Sequence, residues 1–326
     1  ETLAESIAGR RPGGSRVGSA LSRQAGLLFV APAMALFTVF VLYPLVYNAQ
    51  ASFLDWDGIN AGHSVGLDNY RTLILDDPVF RTILKNSVLW IFLTIFPQMG
   101  LGFVLAVLVN QQIRGRNAYR AIFYLPAVVS PIVVGIIWTK IYDPSIGLFS
   151  AISQSTGIGF FEQSLPGSAK WAIFSCIFVN IWQWTGFSML MYLAGLQGID
   201  QEILDAAEVD GTNALQRIRH VLWPLLRGVH TSLILLGIIG SLKTFELIFV
   251  LTRGGPDHAS EMLPSYTYLQ AFENQHVGYA ATISIMLVII SIGASMLFGW
   301  RAMARSVSRH ITLPEPSQIE LSGIWR

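Results

Sequence analysis

EILDAAEVDGTNALQRIRHVLWP, residues Glu202 to Pro224, is a polar, amphipathic stretch set between two long apolar runs. Acidic residues gather early in Glu202 to Val209, where they suit the positive end of a helix dipole. Asp210-Gly211 then breaks that helix, because glycine takes φ > 0 without steric penalty. Thr212 or Asn213 can cap a second helix, in which Leu215, Ile218, Val221 and Leu222 recur at helical spacing. Pro224 closes this helix and can open the next. The pattern reads as a helix, turn, helix foot. Ala206, Ala207 and Gly211 keep one side of it small, so another protein's surface could approach its backbone closely. A loop helix lying on a lipid surface fits the same spacing.

Around the foot the chain is apolar. Of its 326 residues 52% are hydrophobic and 13% charged, and the mean hydropathy is +0.52, the composition of a membrane protein. Six stretches reach the roughly 20 apolar residues that a bilayer crossing needs. They run Gly26 to Tyr47, Val88 to Val109, Ala121 to Thr139, Trp171 to Leu196, Leu225 to Leu251 and Val277 to Trp300. The fifth also holds Arg227, His230, Lys243 and Glu246. Residues 1–25 and 301–326 read as polar tails on either side of a membrane domain at 26–300. The one cysteine, Cys176, lies in an apolar run and excludes an intrachain disulfide.

Lys and Arg in short connections set orientation. The tail before the first span is basic; Arg114, Arg116 and Arg120 separate spans two and three; Arg301, Arg305 and Arg309 follow span six. These segments are expected on the cytoplasmic side of a prokaryotic cell membrane, with both termini inside. The acid-rich loop from Ala49 to Leu84 is expected outside. The foot then faces the cytoplasm.

Polar groups inside spans carry the next signal. Asn180, Gln183, Trp184 and Phe187 fall at i, i+3, i+4 and i+7, placing two amides and two aromatics on one face of span four. Amides bond hydroxyls, and aromatic faces pack on the C–H faces of a sugar ring. Gluing helices together is an equally physical use for them. Gly237, Gly240, Ser241 and Thr244 form a matching small stripe on span five, which suits helix packing or leaves room for a solute. Lys243 lies about 27 Å along that span at 1.5 Å per residue. Snorkelling to the outer interface and pairing with Glu246 one turn on is therefore expected.

The foot resembles the cytoplasmic signature of permease subunits in ATP-binding-cassette importers: Glu-Ala-Ala, three residues, Gly, nine residues, Ile-x-Leu-Pro. Here Asp205-Ala206-Ala207, Gly211 and Val221-Leu222-Trp223-Pro224 keep both spacings, with Asp for Glu, Val for Ile and Trp for Leu. The string SLKTFELIFVLTRGGP from Ser241, with SYTYLQAF and GYAATISIML after it, resembles the carbohydrate branch of these permeases. Within that branch it is similar to the type of the larger permease of the maltose importer. The resemblance covers roughly Gly26 to Trp300, without that type's extra external domain and N-terminal spans.

What the resemblance implies is an all-α, six-span subunit whose foot, through Asp205, Ala206, Ala207, Gly211 and Pro224, is the coupling helix that docks on an ATPase. It implies sugar contacts from Asn180, Gln183, Trp184, Phe187, Gly237, Gly240, Ser241 and Thr244. The turn Gly254-Gly255-Pro256 would meet an external solute-binding protein. The implied partners are a second permease, expected to be a different homologous chain, two ATP-binding-cassette subunits carrying ATP and Mg, the binding protein, the sugar and the lipid bilayer. No nucleic acid is expected. The chain has no GxxxxGK[ST] phosphate loop, nucleophile elbow, HExxH or Cys/His metal spacing, so no catalytic residue, metal or cofactor is expected on it. An ion-coupled secondary transporter would need intramembrane carboxylates, of which only Glu246 is available, and would leave the foot without a purpose. A non-transporting scaffold that binds ATPase is the other alternative.

Overall fold

The computed structural model describes residues 29–111, 113–158 and 164–310, with side chains described to residue 297. Of the expected tails, 1–25 and the part of 301–326 after His310 lie outside the described residues, as do the side chains of Arg301, Arg305 and Arg309; residues 301–310 continue the last helix. The chain divides into two units, Glu1–Ala51 and Ser52–Arg326.

The described part of the first unit is one apolar helix, α1 (Phe29–Ala51). Just before Pro44 its ladder widens: over Thr38–Leu42 the bonds run i to i−5, and the Tyr43 N–H reaches the Thr38 carbonyl. Proline has no N–H and its ring crowds the preceding turn, so a wider turn resolves the conflict without ending the helix.

The second unit opens with a small antiparallel pair, β1 (Leu54–Asp55) against β2 (His63–Ser64). Helices follow: α2 (Pro78–Asn110), α3 (Arg116–Val128), α4 (Pro131–Ile141), α5 (Ala172–Gln197), α6 (Gln201–Val209), α7 (Ala214–Leu225), α8 (Arg227–Leu242), α9 (Glu246–Leu251), α10 (Leu263–Tyr268) and α11 (Val277–His310). Four helices, α1, α2, α5 and α11, are long and apolar enough to cross a membrane, and up to six spans result if each of two bent pairs is one crossing. The bent pairs are α3 with α4, at 96°, and α7 with α8, at 66°.

Two of the six expected spans are bent in the structure. Ala121 to Thr139 turns a corner at Val129-Ser130, because Ser130 precedes Pro131 and is driven out of the helical region, to φ −55 and ψ 136. Leu225 to Leu251 breaks twice, at Leu226 and again between Lys243 and Phe245. Near the second break the Thr244 hydroxyl donates to the Gly240 carbonyl, a side-chain bond that competes with the helical ladder.

The core forms where α2 and α5 pack along one another. Small residues permit the approach: a Cβ on Gly102 would strike Ser188 and the Met189 backbone, and one on Gly186 would land on the Phe123 carbonyl of α3. Met99, Phe103, Met189, Tyr192 and Leu233 fill the seam that α8 closes. Exposed Val88, Phe92 and Phe96 on α2 and Phe174 and Phe178 on α5 are the surface that a hydrocarbon phase covers.

Asp77 ties α2 to the start of α11. Its Oδ1 accepts from the Val79 and Phe80 N–H groups, capping α2, and its Oδ2 accepts from the hydroxyls of Tyr266 and Tyr279 at 2.8 and 2.6 Å. Burial first, and then this carboxylate, push the Tyr266 phenol above its ordinary range. Asp77→Ala loses a cap and strands two hydroxyls, the buried one of Tyr266 and the partly buried one of Tyr279, which should cost about 3 kcal/mol. Asp77→Asn keeps an acceptor and should cost less. Thermal unfolding of the detergent-solubilised chain measures both, and equal midpoints for wild type and Asp77→Ala would contradict the assignment.

Candidate functional site

Where α2, α5 and α8 diverge they enclose a cavity of about 330 Å3, within the size range of small-molecule sites. Its lining includes Asn180, Gln183, Trp184 and Phe187 from α5, with Gly237, Gly240 and Ser241 from α8 and Thr244 just beyond it. All eight residues nominated from the sequence meet there. Thr244 reaches the cavity from the turn that follows α8, not from a continuous helical stripe.

Gln183 is 1% exposed. Its Nε2 donates to the Val129 carbonyl at 3.1 Å, at the corner between α3 and α4. Its Oε1 is buried with no hydrogen-bond partner. A buried acceptor left empty costs roughly 1–3 kcal/mol, so a donor from a bound solute would recover it. The Asn180 amide likewise makes no hydrogen bond among the described residues. Trp184 and Phe187 meet edge to face, with ring centroids 6.2 Å apart. The wall thus combines amides with aromatic faces, the set that grips a ring carrying hydroxyls.

Sequence reasoning missed the contribution of α2. Trp90, Thr94 and Gln98, at i, i+4 and i+8, line the same cavity, and Gln98 Nε2 donates to the Ser188 hydroxyl at 2.8 Å. A threonine and a glutamine within an apolar span were the available signal. Lys243 and Glu246 also line the cavity. The expected pairing between them is absent, because Lys243 ends α8 and Glu246 starts α9 across a break. Among the described residues the one ion pair is His258 with Glu261. No group of three or more His, Cys, Asp or Glu among them could hold a metal ion.

The foot folds as a helix, a left-handed turn and a second helix. Gly211 has φ +72, and Asn213 caps α7 through a reciprocal box with Gln216, at 2.8 and 2.9 Å. Asp205 and Ala206 are exposed, whereas Ala207 turns inward and its carbonyl accepts from Thr212. Val209 and Leu215 are 89% and 73% exposed on either side of the turn. At the other candidate turn, Gly254 has φ +77 and a Cβ there would collide with the buried Glu261 carboxylate. Of the paired glycines only Gly254 is left-handed; Arg253, Asp257 and His258 share that conformation.

A multi-pass helical bundle with broken spans around a polar and aromatic cavity defines a membrane transport protein. Residues 98–308 match the family described as binding-protein-dependent transport system inner membrane component. Among relatives, a probable ABC transporter permease protein of Pyrococcus horikoshii is 34% identical over 267 residues, 82% of this chain and 91% of that protein. The multiple sugar-binding transport system permease protein of Streptococcus mutans is 32% identical over 271 residues, 83% of this chain and 92% of its own. Among solved structures, a bacterial ABC transporter involved in import of the acidic polysaccharide alginate has a chain of the same fold. It superposes with a TM-score of 0.75 at 22% identity, covering 91% of this chain and all of that one. This chain belongs to that family of inner-membrane components and is a permease subunit of a binding-protein-dependent ABC importer.

A Cβ built on Gly240 meets nothing within 4 Å. Gly240→Trp should therefore fold normally and fill the cavity, abolishing most uptake, while Gly240→Ala leaves uptake near wild type. Radiolabelled uptake in proteoliposomes, with the thermal midpoint as a check on folding, separates the two. Full uptake by a folded Gly240→Trp protein would remove the cavity from the transport path.

Proposed function

We propose that this subunit forms one wall of a path for a mono- or oligosaccharide, and that the cavity lined by Asn180, Gln183 and Trp184 is where the sugar pauses. The observation that carries this is the empty, buried Gln183 Oε1 beside unpaired Asn180 and two aromatic rings. Relatives named for multiple sugars, starch degradation products and arabinooligosaccharides support the substrate class.

In this reading each bent pair is a single crossing, giving six spans, with both termini and the foot in the cytoplasm. ATP and Mg bind to two separate ATPase subunits. The exposed surface around Asp205, Ala206, Val209 and Gly211 docks on one of them. A second, homologous permease completes the path. A binding protein delivers the sugar from outside and rests partly on Gly254, Gly255 and Pro256. A neighbouring alginate importer was solved with a periplasmic protein carrying an alginate pentasaccharide, which supports a binding protein as partner. ATP closure moves the foot as a rigid lever and opens the bundle outward. Such a cycle requires the foot to bind the two ATPase states with different affinity, since equal affinity shifts no equilibrium.

The test is reconstitution of this chain with its co-purifying subunits in liposomes, measuring ATP hydrolysis against a panel of sugars and binding proteins. Stimulation by one loaded binding protein is the expected result. An ATPase that co-purifies and never responds would favour a scaffold, and uptake that follows the proton gradient at constant ATP would favour a secondary transporter.

Gly211 gives a sharper prediction. Its left-handed backbone and open surroundings mean that Gly211→Leu strains the turn by about 1 kcal/mol without a clash. The chain should stay folded while the bulky side chain spoils docking, so that hydrolysis continues with little uptake. Undiminished uptake per ATP in that variant would count against the foot as the coupling element.

A further inference from the structure

The foot meets the bundle at the 66° bend between α7 and α8. Pro224 lacks an N–H, and the ladder widens before it, so that the Trp223 N–H reaches back five residues to the Ile218 carbonyl. Leu226, at φ −82 and ψ 10, then interrupts the helix. A bend at this point would act as a loose hinge unless something spans it. His230 does so: its Nε2 lies 3.0 Å from the Trp223 carbonyl, seven residues back and across the break. A carbonyl only accepts, so Nε2 carries the proton. In the neutral ring Nδ1 is then bare and accepts from the Tyr192 hydroxyl of α5, 2.8 Å away.

The same rings also pack on one another. The Trp223 and His230 rings lie 4.2 Å apart, and Phe103 of α2 sets its ring edge-on to both Trp223 and Tyr192. Gly195 of α5 lets Leu226 and Val229 close in, since a Cβ there would strike both side chains. Thus the indole that stands where the signature sequence has leucine is one side of a packed ring cluster.

We infer that His230 is a positioning residue that transmits movement of the foot to the cavity, holding Trp223 at the bend and Tyr192 of α5 as one body. Leu233 and Gly237, three and seven residues after His230 on the same face of α8, line the cavity, and so does Phe187, five residues before Tyr192 on α5. Both helices that His230 joins therefore continue directly into the cavity wall. Coupling through packed elements needs a link that does not yield, and two directed hydrogen bonds on a packed ring supply one. The inference rests on the coupling role given above to the foot.

The test compares the complete reconstituted importer carrying wild type, His230→Phe, His230→Gln or Tyr192→Phe. The readout is the ratio of hydrolysis stimulated by loaded binding protein to basal hydrolysis, with uptake per ATP. His230→Phe keeps a ring and loses both hydrogen bonds, so its stimulation ratio should fall roughly ten-fold, within the span of typical coupling energies. His230→Gln, which can donate to the carbonyl and accept from the hydroxyl, should recover most of that loss. Tyr192→Phe, a smaller change in shape, should lie between. If the wild type is stimulated and His230→Phe and Tyr192→Phe are stimulated equally per assembled complex, with only the yield of complex reduced, His230 is merely structural and the inference is overturned while the importer reading stands. A wild-type complex that shows no stimulation overturns both.

Discussion

In hydrocarbon a backbone carbonyl or amide without a partner costs several kcal/mol, and that constraint decides where this chain can interrupt its helices. Every break in the second unit that shapes the cavity has a side chain in attendance. At the corner between α3 and α4 the Val129 carbonyl accepts from Gln183. At the bend before α8 the Trp223 carbonyl is bonded by His230. Beyond α8, Thr244 bonds the Gly240 carbonyl. The polar residues that a naive hydropathy filter counts against the spans are those that make the irregular backbone tenable.

Three prolines share a consequence that Pro97 and Pro126, inside α2 and α3, do not. Pro44, Pro78 and Pro224 each stand second after a five-residue stretch of widened turn, and in each case the residue between them, Tyr43, Asp77 or Trp223, bonds five residues back. A ring that removes one donor and crowds one carbonyl is accommodated by an extra residue in the turn before it. At Pro44 and Pro224 the helix continues with a changed phase; at Pro78 a new helix starts, because Asp77 is extended and caps it. The same residue type thus gives a continued helix or a corner according to the conformation of its predecessor.

Much of this was legible in the chain. The foot's helix, turn and helix followed from Asp210-Gly211 and Asn213, because capping chemistry is local. The faces of α5 and α8 that meet at the cavity followed from spacing, which survives as long as each helix is continuous. Spacing alone does not say where a span breaks. Pro131 marks the first corner, but the approach of Gly186 of α5 to the Phe123 carbonyl of α3 is a contact no local pattern carries. The break at Lys243 to Phe245 has neither proline nor glycine within it, so the pairing of Lys243 with Glu246 was inferred on a helix that does not exist there. Thr94 and Gln98 share one face of α2 in the same way, but two polar residues on a single apolar span do not say which neighbouring face they meet.

The close packing of α2 on α5 bears on how such a subunit moves. Interiors at native density do not deform continuously; they shift as blocks between discrete arrangements. Gly102 and Gly186 bring backbones too near for α2, α3 and α5 to slide past one another without clashing. Freedom is left at Lys243 to Phe245, where the helix that walls the cavity is interrupted, whereas the interruption at Leu226 is spanned by His230. A push on the foot is therefore expected to pass through His230 to the start of α8 and to Tyr192 of α5 together, with the yielding confined to the segment beyond Leu242. Yielding there changes the distance from Thr244 and Glu246 to the amides of α5, groups that line the cavity together and that a bound sugar would have to touch.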